Sequence, residues 1–165
     1  MKTTLKAVYA HKPSESGWKR LLEYLNKTTP DDEPLSLLTI LDISGIDDAL
    51  WALRAVEGHD REKHLYAMWC ALQLTHYVVD VAERCARRIV TTEALVDVRT
   101  AFLFAMRSIS CGCAWAAVKD VSWWVVVVAS KLDAQATAIA VQTAEFRRMC
   151  ECIDAGVDPY PEAKP

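Results

Sequence analysis

The sequence predicts an all-α fold, a single-domain irregular helical bundle of about six to eight helices, on three observations. Apolar residues recur at spacings of three and four along much of the chain, the period at which side chains share one face of a helix. Glycine (5) and proline (6) are scarce in 165 residues, which disfavours the turn-rich architectures of β proteins. From Thr92 to Gly156 there is no proline and one internal glycine, Gly112, so two or three long helices must share that stretch. A chain of this length buries one respectable core, whereas two independent domains would each be marginal. Residues 1–157 therefore read as one helical domain and 158–165 as a polar, proline-containing tail.

The first clear helix is expected over about Ser16–Asn26. Ser14 and Ser16 can accept its free amide hydrogens, and Trp18, Leu21, Leu22 and Leu25 fall on one side. Asp31, Asp32, Glu33 and Pro34 look like the acidic first turn of a second helix that carries the apolar segment Leu35 to Ile43. Ser44-Gly45 ends it. Ile46 to Val56 reads as a third helix, with Asp47 and Asp48 in its first turn, Ile46, Ala49, Leu50, Leu53 and Val56 on one face, and Gly58 as its stop. From Asp60 a strongly periodic helix is expected to place Leu65, Met68, Trp69, Leu72, His76 and Val79 on its core face, with a break allowed near residue 79.

Thr91-Thr92-Glu93 restarts a helix. The candidate breaks beyond it are Gly112 and the segment Ser130-Lys131-Leu132-Asp133. Four consecutive valines, Val125 to Val128, have high strand propensity, but the alanine-rich flanks favour helix and a lone strand would lack a partner. The last helix should bury Leu132, Ala136, Ile139, Thr143, Phe146, Met149, Cys150 and Ile153, with Gly156 as its C-terminal cap.

A net charge of −3 spread along the chain excludes both a basic nucleic-acid footprint and a heavily acidic mimic of DNA, so no nucleic-acid partner is expected. The longest apolar run, Val121 to Ala129, falls well short of the roughly 20 residues of a membrane span and reads as buried core, with no membrane partner. The N-terminus, MKTTLKAVYAHKP, is too polar for a secretory signal. An intracellular protein whose six cysteines stay reduced is the expectation.

Catalytic and metal chemistry find little support. Cys111-Gly112-Cys113 and Cys150-Glu151-Cys152 each have one intervening residue, and on a helix residues two apart point about 200° apart, so neither pair suits one zinc ion. These cysteines read as small core residues. His64 and His76 each lie six residues from Cys70, on other faces of its helix, with His59 and His64 expected in solvent and His76 on or beside the core face. Phosphate-cradling, zinc-protease and serine-hydrolase motifs are missing. No metal, cofactor or enzymatic activity is expected.

What stands out is a surface. Most of the six tryptophans should fill the core, but Trp51 sits one residue off its helix's apolar stripe, beside Asp47 and Asp48, where an aromatic anchor suits an interface. Between residues 31 and 60 eight acids face a single base, Arg54, a balance that would steer a basic partner. Asp47, Asp48, Trp51, Arg54, Asp60 and Arg61 are the candidate partner-binding residues.

The blocks Asp47-Asp48-Ala49-Leu50-Trp51-Ala52-Leu53-Arg54-Ala55-Val56, Gly58-His59-Asp60-Arg61-Glu62 and Asp80-Val81-Ala82-Glu83-Arg84 make the chain resemble a group of phage and prophage proteins. Ala114-Trp115-Ala116-Ala117 and Gln142-Thr143-Ala144-Glu145-Phe146-Arg147-Arg148-Met149 extend the likeness over most of the chain. These proteins are labelled immunity proteins for their similarity to the fifth class of polymorphic-toxin immunity domains. The sequence departs from their pattern in a short Thr75–Asp80 segment and in valines and tryptophans where alanines are usual. The resemblance implies an all-α, non-catalytic protein of the bacterial host's cytoplasm that binds and neutralises a toxin or host defence component. The alternative is a structural or self-associating helical protein with a Trp/Val-rich oligomer interface.

Overall fold

The computed structural model describes residues 1–89, 91–110, 113–130 and 132–161. The fold is all-α: eight α-helices, a 3-10 turn and one small antiparallel ribbon are present among the described residues. The chain groups into two compact units, a terminal unit of Met1–His59 with the chain from Glu145 onward, and a central unit of Asp60–Ala144.

In the terminal unit, β1 (Lys2–Thr4) pairs with β2 (Pro34–Ser36) in the register Lys2↔Ser36, Thr3↔Leu35, Thr4↔Pro34. Each strand is capped into a helix by its own last hydroxyl. Thr4 Oγ1 accepts the amide of Ala7 at 3.1 Å to open α1 (Leu5–Ala10), and Ser36 Oγ accepts that of Leu38 at 3.2 Å to open α3 (Leu37–Ser44). α2 (Glu15–Leu25) is capped at Ser14, one residue ahead of the expected start, and Asn26 ends it in the left-handed conformation. Gly45, at φ +84°, turns the chain directly into α4 (Ile46–Ala52), and Leu53–Ala55 tightens into a 3-10 turn. The expected face of α4 and that turn is the buried one: Ile46, Ala49, Leu50, Leu53 and Val56 join Leu5, Leu37, Ile40 and Leu41 in the core.

Asp31, Asp32 and Glu33 do not form a helical first turn. They lie in the loop before β2, where Lys27 donates to Asp31 and, at 2.6 Å, to Glu33, and Lys6 pairs with Asp32 at 3.0 Å. The Lys27 ammonium, helped by the Glu33 amide, holds the Asp31 carboxyl below its ordinary range, and the Asp31 and Glu33 carboxylates raise Lys27. Arg147 likewise donates to Asp42. The eight acids therefore do not face Arg54 alone, because the fold brings bases to them from elsewhere in the chain.

In the central unit α5 (Asp60–Ala86), α6 (Thr92–Ser110) and α7 (Ala114–Ser130) pack on one another, and α8 (Gln135–Asp154) contributes its first half. α5 runs without a break at residue 79, and the valine run is helical. The buried face of α5 is not the expected one. Tyr66, Ala67, Cys70, Ala71 and Leu74 are enclosed, whereas Met68 (52%), Leu72 (62%) and Val79 (61%) are exposed, as is His76. The facing helices bear on the choice: Val98, Ala101 and Ala105 of α6 and Ala114, Ala117, Val118 and Val121 of α7 are small, which leaves room to enclose the Tyr66 ring and Leu74 beside Ala67, Cys70 and Ala71. A polar thread runs inside this unit. Tyr66 donates to the Gln142 carbonyl at 3.2 Å, the Gln142 amide to the Ser122 carbonyl at 3.1 Å, and the Ser122 hydroxyl lies 3.5 Å from Cys70 Sγ.

None of the six tryptophans is fully buried, contrary to expectation; five are half-buried and Trp123 is 63% exposed. On α8 Phe146, Met149 and Cys150 are enclosed as expected, but Gln142 and Ala138 take the places assigned to Thr143 and Ala136. Cys70 and Cys150 are core residues, burial pushing the Cys150 thiol up to about 12, while Cys85 and Cys152 are half-buried and Cys113 is exposed. All five are free thiols. Val157 and Gly156 close the C-terminus of α8 by donating their backbone N–H groups to the carbonyls of Cys152 and Ile153 respectively, and Pro159 of the expected tail is buried. Cys111, Gly112, Lys131 and residues 162–165 lie outside the described residues.

Candidate functional site

The spacing Asp48, Trp51, Arg54 advances by three, so these side chains follow one another along one side of α4 and the turn after it. The Arg54 guanidinium sits 5.5 Å from the centre of the Trp51 ring, a cation–π contact with Arg54 exposed and Trp51 half-buried. Asp47, one residue before Asp48, points into solvent and makes no ion pair among the described residues.

Asp48 points the other way, toward the first turn of α2. A methyl group placed on Gly17 would meet Asp48 Oδ2 at 2.7 Å and Ser14 Oγ at 2.9 Å, so the absence of a side chain at residue 17 is what admits the carboxylate. Between α2 and α4 lies a small cleft whose walls include Trp18, Leu21, Ile40 and Trp51, with Ser14, Ser44 and Asp48 as its polar atoms. Its free volume is about 20 Å³, room for one water-sized group and not for a small-molecule substrate. Trp18 is braced from outside by the Tyr9 ring, centre to centre 5.1 Å.

The electrostatics of the cleft are unbalanced. Desolvation raises the Asp48 carboxyl above its ordinary range, Asp47 adds to the rise, and Arg20 and the Ser44 hydroxyl oppose it. No cation comes within ion-pair distance of Asp48 among the described residues. Ser44 Oγ is enclosed, close enough to Asp48 to favour its ionised form slightly, yet makes no hydrogen bond of regular geometry.

The fold thus joins four of the six sequence-predicted residues, Asp47, Asp48, Trp51 and Arg54, in the terminal unit. Asp60 and Arg61 belong to the central unit, at the start of α5. There Asp60 Oδ1 lies 3.3 Å from the buried Lys63 ammonium and Arg61 is 3.3 Å from Glu62, so both side chains are engaged locally. Sequence reasoning did not gather Ser14, Gly17, Trp18 and Ser44 around one cleft with Asp48. The one signal available was a glycine inside a helical pattern, which marks a close approach of another element.

No known family, curated protein or solved structure matches this chain.

Proposed function

We propose that the chain is a non-catalytic, phage- or prophage-encoded helical binding protein that neutralises a protein toxin or host defence component through the Asp47–Asp48–Trp51–Arg54 surface. The observation that carries this reading is the Trp51–Arg54 stack at the lip of a cleft too small for a substrate. A half-exposed tryptophan held by an arginine is a preordered aromatic anchor of the kind that dominates protein interfaces. The phage and immunity setting rests on the sequence resemblance. The chain, immobilised and exposed to lysate of a bacterial host, should retain one specific protein, and expression should protect cells from that protein's activity. Trp51→Ala with Arg54→Ala should abolish both. Protection that is indifferent to these substitutions would remove this surface from the reading.

A second reading, self-association, is favoured by Trp123 and by Leu103 and Phe104 of α6, all exposed, with Phe104 stacked on Trp124 at 5.8 Å. A scattering mass of 18.5 kDa at high concentration eliminates it, and a multiple of that mass lost on Trp123→Ala supports it.

A further inference from the structure

We infer that the cleft between α2 and α4 is a socket for the ammonium of a single lysine side chain of the protein partner, which would lie among Asp48, Ser44 and Ser14 while the lysine methylenes stay outside the cleft against the half-buried Trp18 and Trp51 rings. This inference rests on the binding role proposed above and names the chemistry that role would recognise.

Three features of the cleft point to an ammonium. Size comes first: about 20 Å³ holds one water-sized group, which an ammonium is, whereas a planar guanidinium needs a broader slot. Donor–acceptor balance comes second. An ammonium brings three donors and no acceptor. The polar atoms of the cleft are a carboxylate without an ion-pair partner, an enclosed Ser44 hydroxyl without a regular hydrogen bond, and Ser14 Oγ, which accepts the Gly17 amide at 3.2 Å and keeps a second lone pair. Charge comes third. Asp48 carries its charge half-desolvated, with Asp47 at the rim adding to the negative potential. A cation arriving at this point offsets a penalty that the free protein already bears, so the gain appears on binding. The arginines nearby do not fill the role: Arg54 is engaged with the Trp51 ring, and Arg20 acts on Asp48 from beyond ion-pair distance.

The aromatic walls suit the rest of the side chain. Lysine methylenes shed water against ring faces, and an ammonium close to Trp18 and Trp51 gains cation–π attraction in addition to the charge pair. Gly17 is part of the socket for a steric reason, since a Cβ there would displace the Asp48 carboxylate from the wall it occupies.

The test titrates the full ¹⁵N-labelled chain with n-butylammonium, a lysine side chain without its backbone. n-Butanol and n-butylguanidinium are compared at matched ionic strength. The expected result is saturable shifts of the Trp18 and Trp51 indole N–H signals and of the Gly17 amide with butylammonium alone. Asp48→Asn should weaken that binding about tenfold, the scale of one charge-assisted hydrogen bond, and Ser44→Ala by less. Asp48→Asn is nearly isosteric, and should it fail to fold, Ser44→Ala and Gly17→Ala carry the comparison. Equal shifts with butanol would show an apolar groove only. No saturable shift, or one unchanged in Asp48→Asn, would show a cleft that holds water only, and each of these outcomes overturns the inference. A partner retained by the wild type and by Asp48→Asn alike, but lost with Trp51→Ala, would sink the lysine socket and leave the binding role standing. Saturable butylammonium binding with no partner from host lysate would sink the binding role instead.

Discussion

The two units differ in what their exposed faces carry, charge in one and large apolar side chains in the other. The terminal unit is conventional: short helices with hydroxyl caps enclose Leu5, Leu37, Ile40, Leu53 and Phe146, while its charges pair outside, Lys27 with Asp31 and Glu33, Arg147 with Asp42. The central unit encloses alanines, valines and a polar thread through Tyr66, Ser122 and Gln142, and leaves Met68, Leu72, Leu103 and Trp123 in solvent. The contrast shows that hydrophobicity selects the buried face of a helix only where the other faces are polar. Where a helix is apolar on several sides, the fit to the helices facing it decides: on α5 Tyr66 and Leu74 are enclosed with Ala67, Cys70 and Ala71, while Met68 and Leu72 are not.

The sharpest way to break this contrast is to empty one core and overfill the other. Phe146→Ala removes a fully enclosed ring and should cost about 3–5 kcal/mol, read as a shifted midpoint in urea unfolding. A loss under about 1 kcal/mol would mean that the terminal core is loosely packed. Ala117→Leu adds volume at a fully buried alanine of α7 and should cost about 1–3 kcal/mol, although it raises hydrophobicity. If Ala117→Leu is neutral or stabilising, close approach of small faces is not what holds the central unit together.

The smaller effect sharpens the same point from outside. Leu72 lies on the apolar stripe that periodicity alone assigns to the core, yet it is mostly exposed. Leu72→Ser should change stability by no more than about 0.5 kcal/mol at low protein concentration. A loss of several kcal/mol would restore the periodic reading of α5 and overturn the face seen in the structure.

These differences also explain what was legible in the sequence. The longer helices were, because the Ser14 cap, the stops at Asn26, Gly45 and Gly156, and the lack of proline beyond Thr92 are local signals, whereas α1, six residues opened by Thr4, is too short to show a helical period and was not expected. The buried face of α4 was legible because Asp47, Asp48 and Arg54 leave it only one apolar side. α5 was not, since Met68 and Leu72 compete with Tyr66 and Cys70, and the winner depends on alanines of α6 and α7 that are distant in sequence. The ribbon was missed because three residues per strand carry no period. At the site, Trp51 beside two acids was visible, but the route of Asp48 to Gly17 is a tertiary contact with only a lone helical glycine to announce it.

The smallest predicted effect separates two acids of the terminal unit by sign. Asp31 titrates below its ordinary range when folded, so its contribution is present at neutral pH and is lost as pH falls through the folded value. Asp48 titrates above its ordinary range, so the folded chain binds its proton more readily than the unfolded chain does. It therefore imposes a penalty at neutral pH that fades as pH falls through the carboxylate range. Asp48→Asn should accordingly raise the midpoint of thermal unfolding slightly at pH 7, with the gain shrinking on acidification, whereas Asp31→Asn should lower it at pH 7 and converge with wild type in acid. A wild type more stable than Asp48→Asn at neutral pH would mean that the carboxylate is satisfied within the chain, by the first turn of α2 or by Arg20, and has no charge to spare for a partner. A stabilised Asp48→Asn that has lost butylammonium binding would instead mark Asp48 as a group kept at the expense of stability, the pattern expected where an ionised side chain waits for its counter-ion.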